Sequence, residues 1–187
     1  MPETRPVKRI GFIGLGDMGL PMAQNLIKAG FEVCGFDLRT ERLDLLKKAG
    51  GLSANSISEL GKASDVVFVM VMTGKQVSEI ILGDNGLLKS MHQGSAIILS
   101  STIAPLDARE VGEPVLKAGI KIIDTPVSGG KSGAENGSLT MMAASSKETF
   151  DEHQDVLKGV GEKIFHVGEE IGMGQTVKAA LQALIGS

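Results

Sequence analysis

A short glycine-rich stretch near the start of the chain constrains the fold more than any other part of the sequence. The apolar run 10–15 leads directly into glycines spaced as Gly-x-Gly-x-x-Gly, and an apolar-periodic segment follows at 18–29. In a strand–turn–helix unit, the first such glycine permits the tight turn, the second lets a pyrophosphate approach the backbone, and the third lets helix and strand pack closely. Because the helix start adds unpaired N–H groups and a partial positive charge, the stretch predicts a dinucleotide-binding site, the alternative being a structural turn. The residues of this predicted site are Gly14, Leu15, Gly16, Asp17, Met18 and Gly19.

Strands and helices alternate along the whole chain, which is the pattern of an α/β fold with a parallel sheet. The predicted strands are 10–15, 31–36, 65–72, 96–99, 120–124, 139–144 and 163–167. The predicted helices are 18–29, 41–49, 56–63, 75–82, 105–118 and 147–157, followed by an apolar, helix-forming stretch at 172–187. The sequence therefore predicts a Rossmann-like, doubly wound and mostly parallel sheet, with ligands at the carboxyl ends of its strands.

Asp37 ends the predicted second strand, about 20 residues past the glycine turn, where a ribose-binding carboxylate belongs. A carboxylate there accepts hydrogen bonds from the ribose hydroxyls and repels a 2′-phosphate, which favours NAD over NADP. Arg39 weakens this prediction, because an arginine at that point can pair with a 2′-phosphate. A second interpretation is a plain loop in which Thr40 caps the next helix, and both interpretations can hold.

Two other strand exits carry candidate cofactor contacts. Met72 ends the predicted strand 65–72, at the edge where ligands bind, and is interpreted as core or as pocket wall. Ser101 and Thr102 follow the strand 96–99, just before a helix that begins with Pro105. Their hydroxyls suit helix capping and equally suit contact with a nicotinamide or its ribose.

The stretch 124–130 has little with which to pack a core. Ser128 supplies a hydroxyl, and Gly129 and Gly130 expose backbone N–H groups, so the stretch predicts a concavity that holds a carboxylate. The alternative is a flexible Gly-Gly loop.

The last stretch places a lone lysine on an otherwise apolar helix. Lys178 and Gln182 are spaced i and i+4, so they share one helix face. A partly desolvated lysine has a lowered pKa and exchanges protons near neutral pH, which makes Lys178 a candidate acid/base. The alternative is a lysine that snorkels to solvent.

Composition narrows the possible partners and compartments. The formal net charge is -3 and the chain has no Trp or Tyr, which argues against nucleic acid as a partner. Cys34 is the single cysteine and sits in an apolar strand, so it is predicted to be a core residue in a reducing cytoplasm. No apolar run reaches membrane-spanning length, the first eight residues lack a signal-peptide core, and no histidine spacing suggests a metal site.

Four signals, taken in order, resemble the β-hydroxyacid (3-hydroxyisobutyrate) dehydrogenase family, and most closely its L-threonate dehydrogenase branch. The matching residues are the glycine turn with Met22 and Asn25, then Ser101-Thr102, then 124–130, then Gly172, Gly174 and Lys178. The resemblance implies an NAD(P)-dependent oxidoreductase that acts on the CH–OH group of a small 3-hydroxyisobutyrate-, tartronate semialdehyde- or L-threonate-like acid. It further implies that Thr102 contacts the cofactor, that Ser128, Gly129 and Gly130 hold the substrate carboxylate, and that Lys178 is the acid/base.

Two departures from the family pattern qualify the resemblance. Family members usually carry Asn-Asn after the catalytic lysine, whereas this chain has Leu181-Gln182, so that only Gln182 keeps an amide for the substrate. The family also has an all-α second domain, absent here, that closes the site and builds the oligomer. We therefore expect a dinucleotide-binding domain at 1–170, the start of an interdomain helix at 171–187, and a homo-oligomer in the full-length form. The alternative function is a non-catalytic nucleotide-binding module or a truncated, inactive fragment.

Overall fold

The apolar runs of the sequence assemble into a nine-stranded sheet in a computed structural model that describes residues 8–185. The strands are β1 (Arg9–Ile13), β2 (Glu32–Phe36), β3 (Leu52–Ser53), β4 (Val66–Val69), β5 (Ala96–Leu99), β6 (Lys121–Asp124), β7 (Val127–Ser128), β8 (Leu139–Ala144) and β9 (Gly161–Gly168). The helices are α1 (Gly19–Lys28), α2 (Thr40–Lys48), α3 (Ile57–Ala63), α4 (Gly74–Leu82), α5 (Leu87–Ser90), α6 (Pro105–Lys117), α7 (Gly130–Asn136), α8 (Lys147–Glu152), α9 (Gln154–Lys158) and α10 (Met173–Ile185).

The strand order confirms the predicted Rossmann-like, doubly wound sheet. The order is β3-β2-β1-β4-β5-β6-β8-β7, with β9 paired to β8. The strands from β3 to β6 are parallel, whereas β8 runs antiparallel to β6 and β7. After β1 the chain builds outward to β2 and β3, then returns to the other side of β1 with β4. A change of direction of this kind opens a crevice at the carboxyl ends of β1 and β4.

Both faces of the sheet are buried, which explains why its central strands read as continuous apolar runs. One face packs against α1 and includes Phe12 and Phe68, whose rings stack with centroids 5.2 Å apart. The other face packs against α3, α4 and α6 and includes Leu60, Val77 and Val111. The crevice is therefore supported by a rigid two-sided core.

The structure corrects several boundaries predicted from the sequence. The strand predicted to reach Met72 ends at Val69. Met70 still donates a main-chain hydrogen bond to the Ile13 carbonyl, and the residues beyond it form the loop before α4. The helix predicted at 147–157 divides into α8 and α9 at His153. The elements β3, β7, α5 and α7 were missed, since two to seven residues are too few to show a hydrophobic period. Among residues 8–185, no helix is both long and apolar enough to cross a membrane.

Candidate functional site

The glycine turn is held between two strands so closely that no side chain fits at two of its positions. Gly14 has a φ of 91° and donates its N–H to the Phe36 carbonyl at 3.0 Å. A Cβ on Gly14 would lie 2.1 Å from the Met70 carbonyl oxygen, and one on Gly19 would lie 1.9 Å from the Gly14 carbonyl oxygen. The turn therefore needs glycine for its own packing, as well as for any ligand.

The mouth of the turn is open at its middle glycine. A Cβ on Gly16 would meet only the Arg39 guanidinium, at 3.8 Å. No side chain caps the start of α1, where Met18 occupies the N-cap position. The positive end of the dipole of this ten-residue helix thus lies at the glycine turn without a side-chain cap, which suits a pyrophosphate.

Asp37 lies beside the glycine turn at the end of β2. Its carboxylate accepts the Leu15 N–H at 2.7 Å and the Arg39 N–H at 2.9 Å. The Arg39 guanidinium also donates to this carboxylate, at 3.1 and 3.4 Å. Burial alone would raise the pKa of Asp37, but the hydrogen bonds from Arg39 and Leu15 hold that pKa below its usual value. The carboxylate is therefore ionised at neutral pH and lies beside the glycine turn.

Two large apolar side chains at this edge are left in solvent. Leu38, two residues after the end of β2, is 92% exposed. Met72, in the loop after β4, is 85% exposed. The two strands flank β1, so these side chains lie on either side of the glycine turn. The core interpretation is wrong for Met72. The sequence analysis missed Leu38 as a candidate contact. Its position as an apolar residue directly after a predicted ribose-binding acid was the available signal.

The hydroxyls after β5 divide into one structural group and one exposed group. The buried Ser101 hydroxyl accepts the Val71 N–H at 2.8 Å and donates to the Val69 carbonyl at 3.3 Å, which ties the exits of β4 and β5 together. Thr102 is exposed at the edge of the sheet. The N-cap of α6 is Ala104, so the interpretation of Ser101 and Thr102 as caps is wrong.

A buried carboxylate docks α10 on the sheet. Asp124, at the end of β6, is 0% exposed and accepts the N–H groups of Gly172 at 2.9 Å and Gln175 at 3.2 Å. It thereby caps the first turn of α10 from a neighbouring strand, where a negative charge is favourable. Burial raises the pKa of Asp124, and the hydrogen bonds from Gln175 and Gly172 act against that rise. The sequence pointed to Asp124 only as part of a motif and did not point to Gln175.

Lys178 lies one turn beyond this anchor on α10. Its side chain is partly buried, and this burial lowers the pKa of its ammonium group. Within residues 8–185 the ammonium has no hydrogen-bond acceptor and no carboxylate partner, unlike the paired lysines of the surface helices. Gln182 is exposed one turn further along the helix. A lysine in this environment can lose and regain a proton more readily than an ordinary surface lysine.

The chain continues from β6 into the predicted carboxylate-binding stretch. Asp124 pairs with Ala144 of β8 and Ser128 pairs with Thr140, so β7 extends past the carboxyl edge of the parallel strands. Gly129 and Gly130 follow with φ values of 127° and 59°, both exposed. The segment is thus a turn that leads into α7.

Asn25 fastens this turn to the glycine-turn helix. Its side-chain amide donates to the Ala134 carbonyl of α7 at 2.7 Å.

Asp17, in the glycine turn, faces outward and pairs with Arg42 of α2 at 3.0 Å. No set of three or more His, Cys, Asp or Glu side chains in the described range is arranged to hold a metal ion.

Comparisons with known proteins agree with this architecture. The profile of the family described as the NAD binding domain of 6-phosphogluconate dehydrogenase matches residues 9–168. The chain is 38% identical to an L-threonate dehydrogenase of Cupriavidus necator over 179 residues, covering 96% of this chain and 60% of that protein. It is 40% identical to a 3-hydroxyisobutyrate dehydrogenase of Pseudomonas aeruginosa over 177 residues, covering 95% of this chain and 59% of that protein.

A solved structure extends the likeness to three dimensions. The crystal structure of a 3-hydroxyisobutyrate dehydrogenase from Salmonella typhimurium superposes with a TM-score of 0.90 at 32% identity. The match covers 96% of this chain and 62% of that one. The chain therefore spans about 60% of the length of the relatives that it matches.

Proposed function

Because this chain belongs to the β-hydroxyacid dehydrogenase family and spans its NAD-binding domain, we propose that it serves an NAD(P)-dependent dehydrogenase or reductase of a small β-hydroxy acid. The observation that carries the proposal is Lys178, a partly buried lysine on a helix that docks at the carboxyl edge of a Rossmann-like sheet. The chemistry requires a group that exchanges a proton and a site for a hydride acceptor, and this edge offers both.

The residues at the glycine turn fit a dinucleotide. The open position at Gly16 leaves room for a pyrophosphate against the backbone, and Asp37 offers carboxylate oxygens to a ribose. The exposed side chains of Leu38 and Met72 are suited to cover the two faces of an adenine. Thr102 lies at the exit of β5 for contact with the nicotinamide half. The remaining proposed contacts are Gly14, Leu15, Asp17, Met18 and Gly19.

NAD is the preferred cofactor in this proposal. A 2′-phosphate placed near Asp37 would meet an ionised carboxylate whose low pKa keeps it charged at neutral pH. The Arg39 guanidinium already donates two hydrogen bonds to the same carboxylate, so its charge is partly neutralised. This pairing favours NAD, although Arg39 still gives NADP some affinity.

Lys178 provides the acid/base chemistry. NAD, when bound, accepts the hydride from the carbinol carbon. The neutral amine of Lys178 takes the proton of the substrate hydroxyl during oxidation. In reduction, the ammonium returns that proton and stabilises the developing alkoxide. The lowered pKa increases the neutral fraction that oxidation needs.

The substrate in this proposal is a small acid whose carboxylate is held by Ser128, Gly129 and Gly130, with Gln182 as a further polar contact. Fixing the carboxylate decides which carbon faces the nicotinamide. The candidates are 3-hydroxyisobutyrate-, tartronate semialdehyde- and L-threonate-like acids. Gln182 stands where the family usually has asparagine, and the threonate-type branch tolerates glutamine there, which partly supports that branch.

The domain arrangement and assembly are proposed on the same basis. Residues 1–170 form the cofactor domain, and α10 begins the helix that leads out of it within 171–187. A homo-oligomer in the full-length form and a cytoplasmic location complete the proposal. The helix α10, which packs on β6, β8, β9 and α6 and still exposes Leu184 and Ile185, supports the association between chains but not the location.

Calorimetric titration of this chain with NADH and with NADPH tests the proposal. Tighter binding of NADH is the expected result, and binding of neither by folded protein would contradict it. NADH production or consumption is then followed with the three candidate acids. Selective NADH binding without turnover would favour the alternative, a nucleotide-binding module that does not itself catalyse.

A further inference from the structure

Gln175 is a fully buried amide at the junction of three elements. Its side chain lies in the first turn of α10 and is 1% exposed. The Nε2 group donates to Asp124 Oδ1 at 2.8 Å and to the Ser101 carbonyl at 2.9 Å, while Oε1 accepts the Ile103 N–H at 3.0 Å. The amide therefore joins α10 to the exits of β5 and β6.

Two of these bonds enclose the segment that carries the exposed threonine. The Ser101 carbonyl and the Ile103 N–H are the main-chain groups on either side of Thr102. Gln175 thus pairs with the backbone before and after Thr102 in the way that a neighbouring strand would. The position of Thr102 is consequently set by α10 as well as by β5.

The hydrogen-bonding pattern selects an amide at this position. One acceptor and two donors are required, and a glutamine side chain offers both. Glutamate would lack the donors and would place a second carboxylate against Asp124. Methionine would match the length but would leave three polar groups, two of them buried, without their partner, which is costly. The requirement is therefore chemical and not only a matter of filling space.

Resting on the function proposed above, we propose that Gln175 is a positioning residue that fixes Lys178 relative to Thr102 and Asp124. Lys178 lies three residues after Gln175, so rotation or lifting of the first turn of α10 moves its ammonium group directly. The same movement releases the backbone at Thr102. A single amide thereby holds the proton-exchanging group and the cofactor-side segment in one geometry. Catalytic sites lose efficiency when such groups shift by about 1 Å.

The test compares Gln175→Met with two matched controls in the whole chain. Leu87→Ala removes a buried side chain from α5. This helix precedes β5 and therefore lies towards the amino ends of the strands, away from Gln175. Gln93→Met makes the same chemical change at an exposed position. Two quantities are measured in each folded variant: the pKa of Lys178, by NMR of ¹³Cε-labelled lysine, and the Kd for NADH, by calorimetry. The lysine signal is assigned by its loss in Lys178→Met.

The expected result is that Gln175→Met raises the pKa of Lys178 towards that of an ordinary lysine. The variant should also weaken NADH binding about tenfold, which is the loss expected if the segment at Thr102 adopts its binding conformation only about a tenth of the time. Both controls leave both quantities unchanged, although Leu87→Ala lowers Tm. An unchanged Lys178 pKa in folded Gln175→Met, or an equal change in Leu87→Ala, would overturn the proposal.

The test separates this proposal from the function on which it rests. If the parent chain fails to bind NADH, the cofactor assignment fails, and the Lys178 titration alone still decides whether Gln175 positions the lysine. If Gln175→Met does not fold, Gln175→Asn keeps the amide on a side chain shortened by one methylene. That variant is expected to shift the Lys178 pKa in the same direction, and no shift would count against the proposal.

Discussion

The Asp37 carboxylate accepts the Leu15 N–H at 2.7 Å, so the acid at the end of β2 is bonded to the glycine turn itself. We predict that Asp37→Ala weakens NADH binding by about tenfold and NADPH binding by less, because the variant removes ribose acceptors and the charge that repels a 2′-phosphate. Calorimetry with both cofactors measures the change. Asp44→Ala, on the exposed face of α2, is the control. An unaltered ratio of the two affinities would show that Asp37 does not select the cofactor.

Arg39 gives a complementary prediction for the same site. Arg39→Ala should weaken NADPH binding several-fold and change NADH binding little, since only NADP carries a phosphate for the guanidinium to meet. The variant should also raise the pKa of Asp37, because hydrogen bonds from Arg39 are among those that keep that pKa low. The carboxyl ¹³C shift of Asp37 against pH reports that rise. Equal losses for both cofactors would instead indicate damage to the turn.

Lys178 is predicted to carry the proton transfer. Lys178→Ala, in a form that turns over, should reduce kcat by roughly the 10²–10⁴-fold typical of a lost acid/base while leaving the Kd for NADH near its original value. Lys147→Ala, which removes an exposed lysine on α8, is the matched control. A loss in kcat smaller than about tenfold would remove the role assigned to Lys178.

The stability of the sheet should depend on pH through Asp65. Its carboxylate bonds the Arg9 guanidinium at 2.8 Å, and this bond lowers the pKa of Asp65 to about 2. An acid whose pKa is depressed by folding stabilises the protein above its unfolded pKa and loses that effect as the pH falls towards the folded pKa. Asp65→Asn should therefore lower Tm by about 3 °C at neutral pH.

The difference in Tm between the Asp65→Asn variant and the parent should shrink as the pH falls from about 4 to about 2. Thermal melts followed by circular dichroism across this range measure it. A difference that stays constant with pH would show that the Arg9 pair contributes nothing through its charge. The pair is partly exposed, so added salt should also reduce the difference.

The sequence predicted most accurately the two strands whose runs are bounded by polar residues at both ends. The strands β5 and β8 have the predicted bounds, because a continuous apolar run with polar ends leaves little freedom in where a strand begins and stops. The glycine turn was predicted equally well, since each of its glycines meets a separate structural requirement. These are local signals, and a single sequence displays them directly.

The parts that escaped prediction depend on partners distant in the chain. Gln175 owes its significance to Asp124 and to the backbone at 101 and 103, which lie 51 to 74 residues away. The helix α7, whose sequence contains two glycines, forms with the support of an amide from Asn25, 109 residues earlier. Propensity alone disfavours that helix, and tertiary contacts override it. The roles proposed for individual site residues likewise remain predictions that binding and kinetic measurements can decide.

The change from parallel to antiparallel pairing beyond β6 divides the site between two stretches of chain with different freedom to vary. The glycine turn, Asp37 and Thr102 sit at the ends of strands buried on both sides, where an inserted residue would disturb the core. Ser128, Gly129 and Gly130 extend past that edge along β8, outside the parallel part of the sheet, although the positive φ of the two glycines restricts which side chains can replace them. In the proposed function, such a division separates the stretch that recognises the acid from the stretch that binds the dinucleotide.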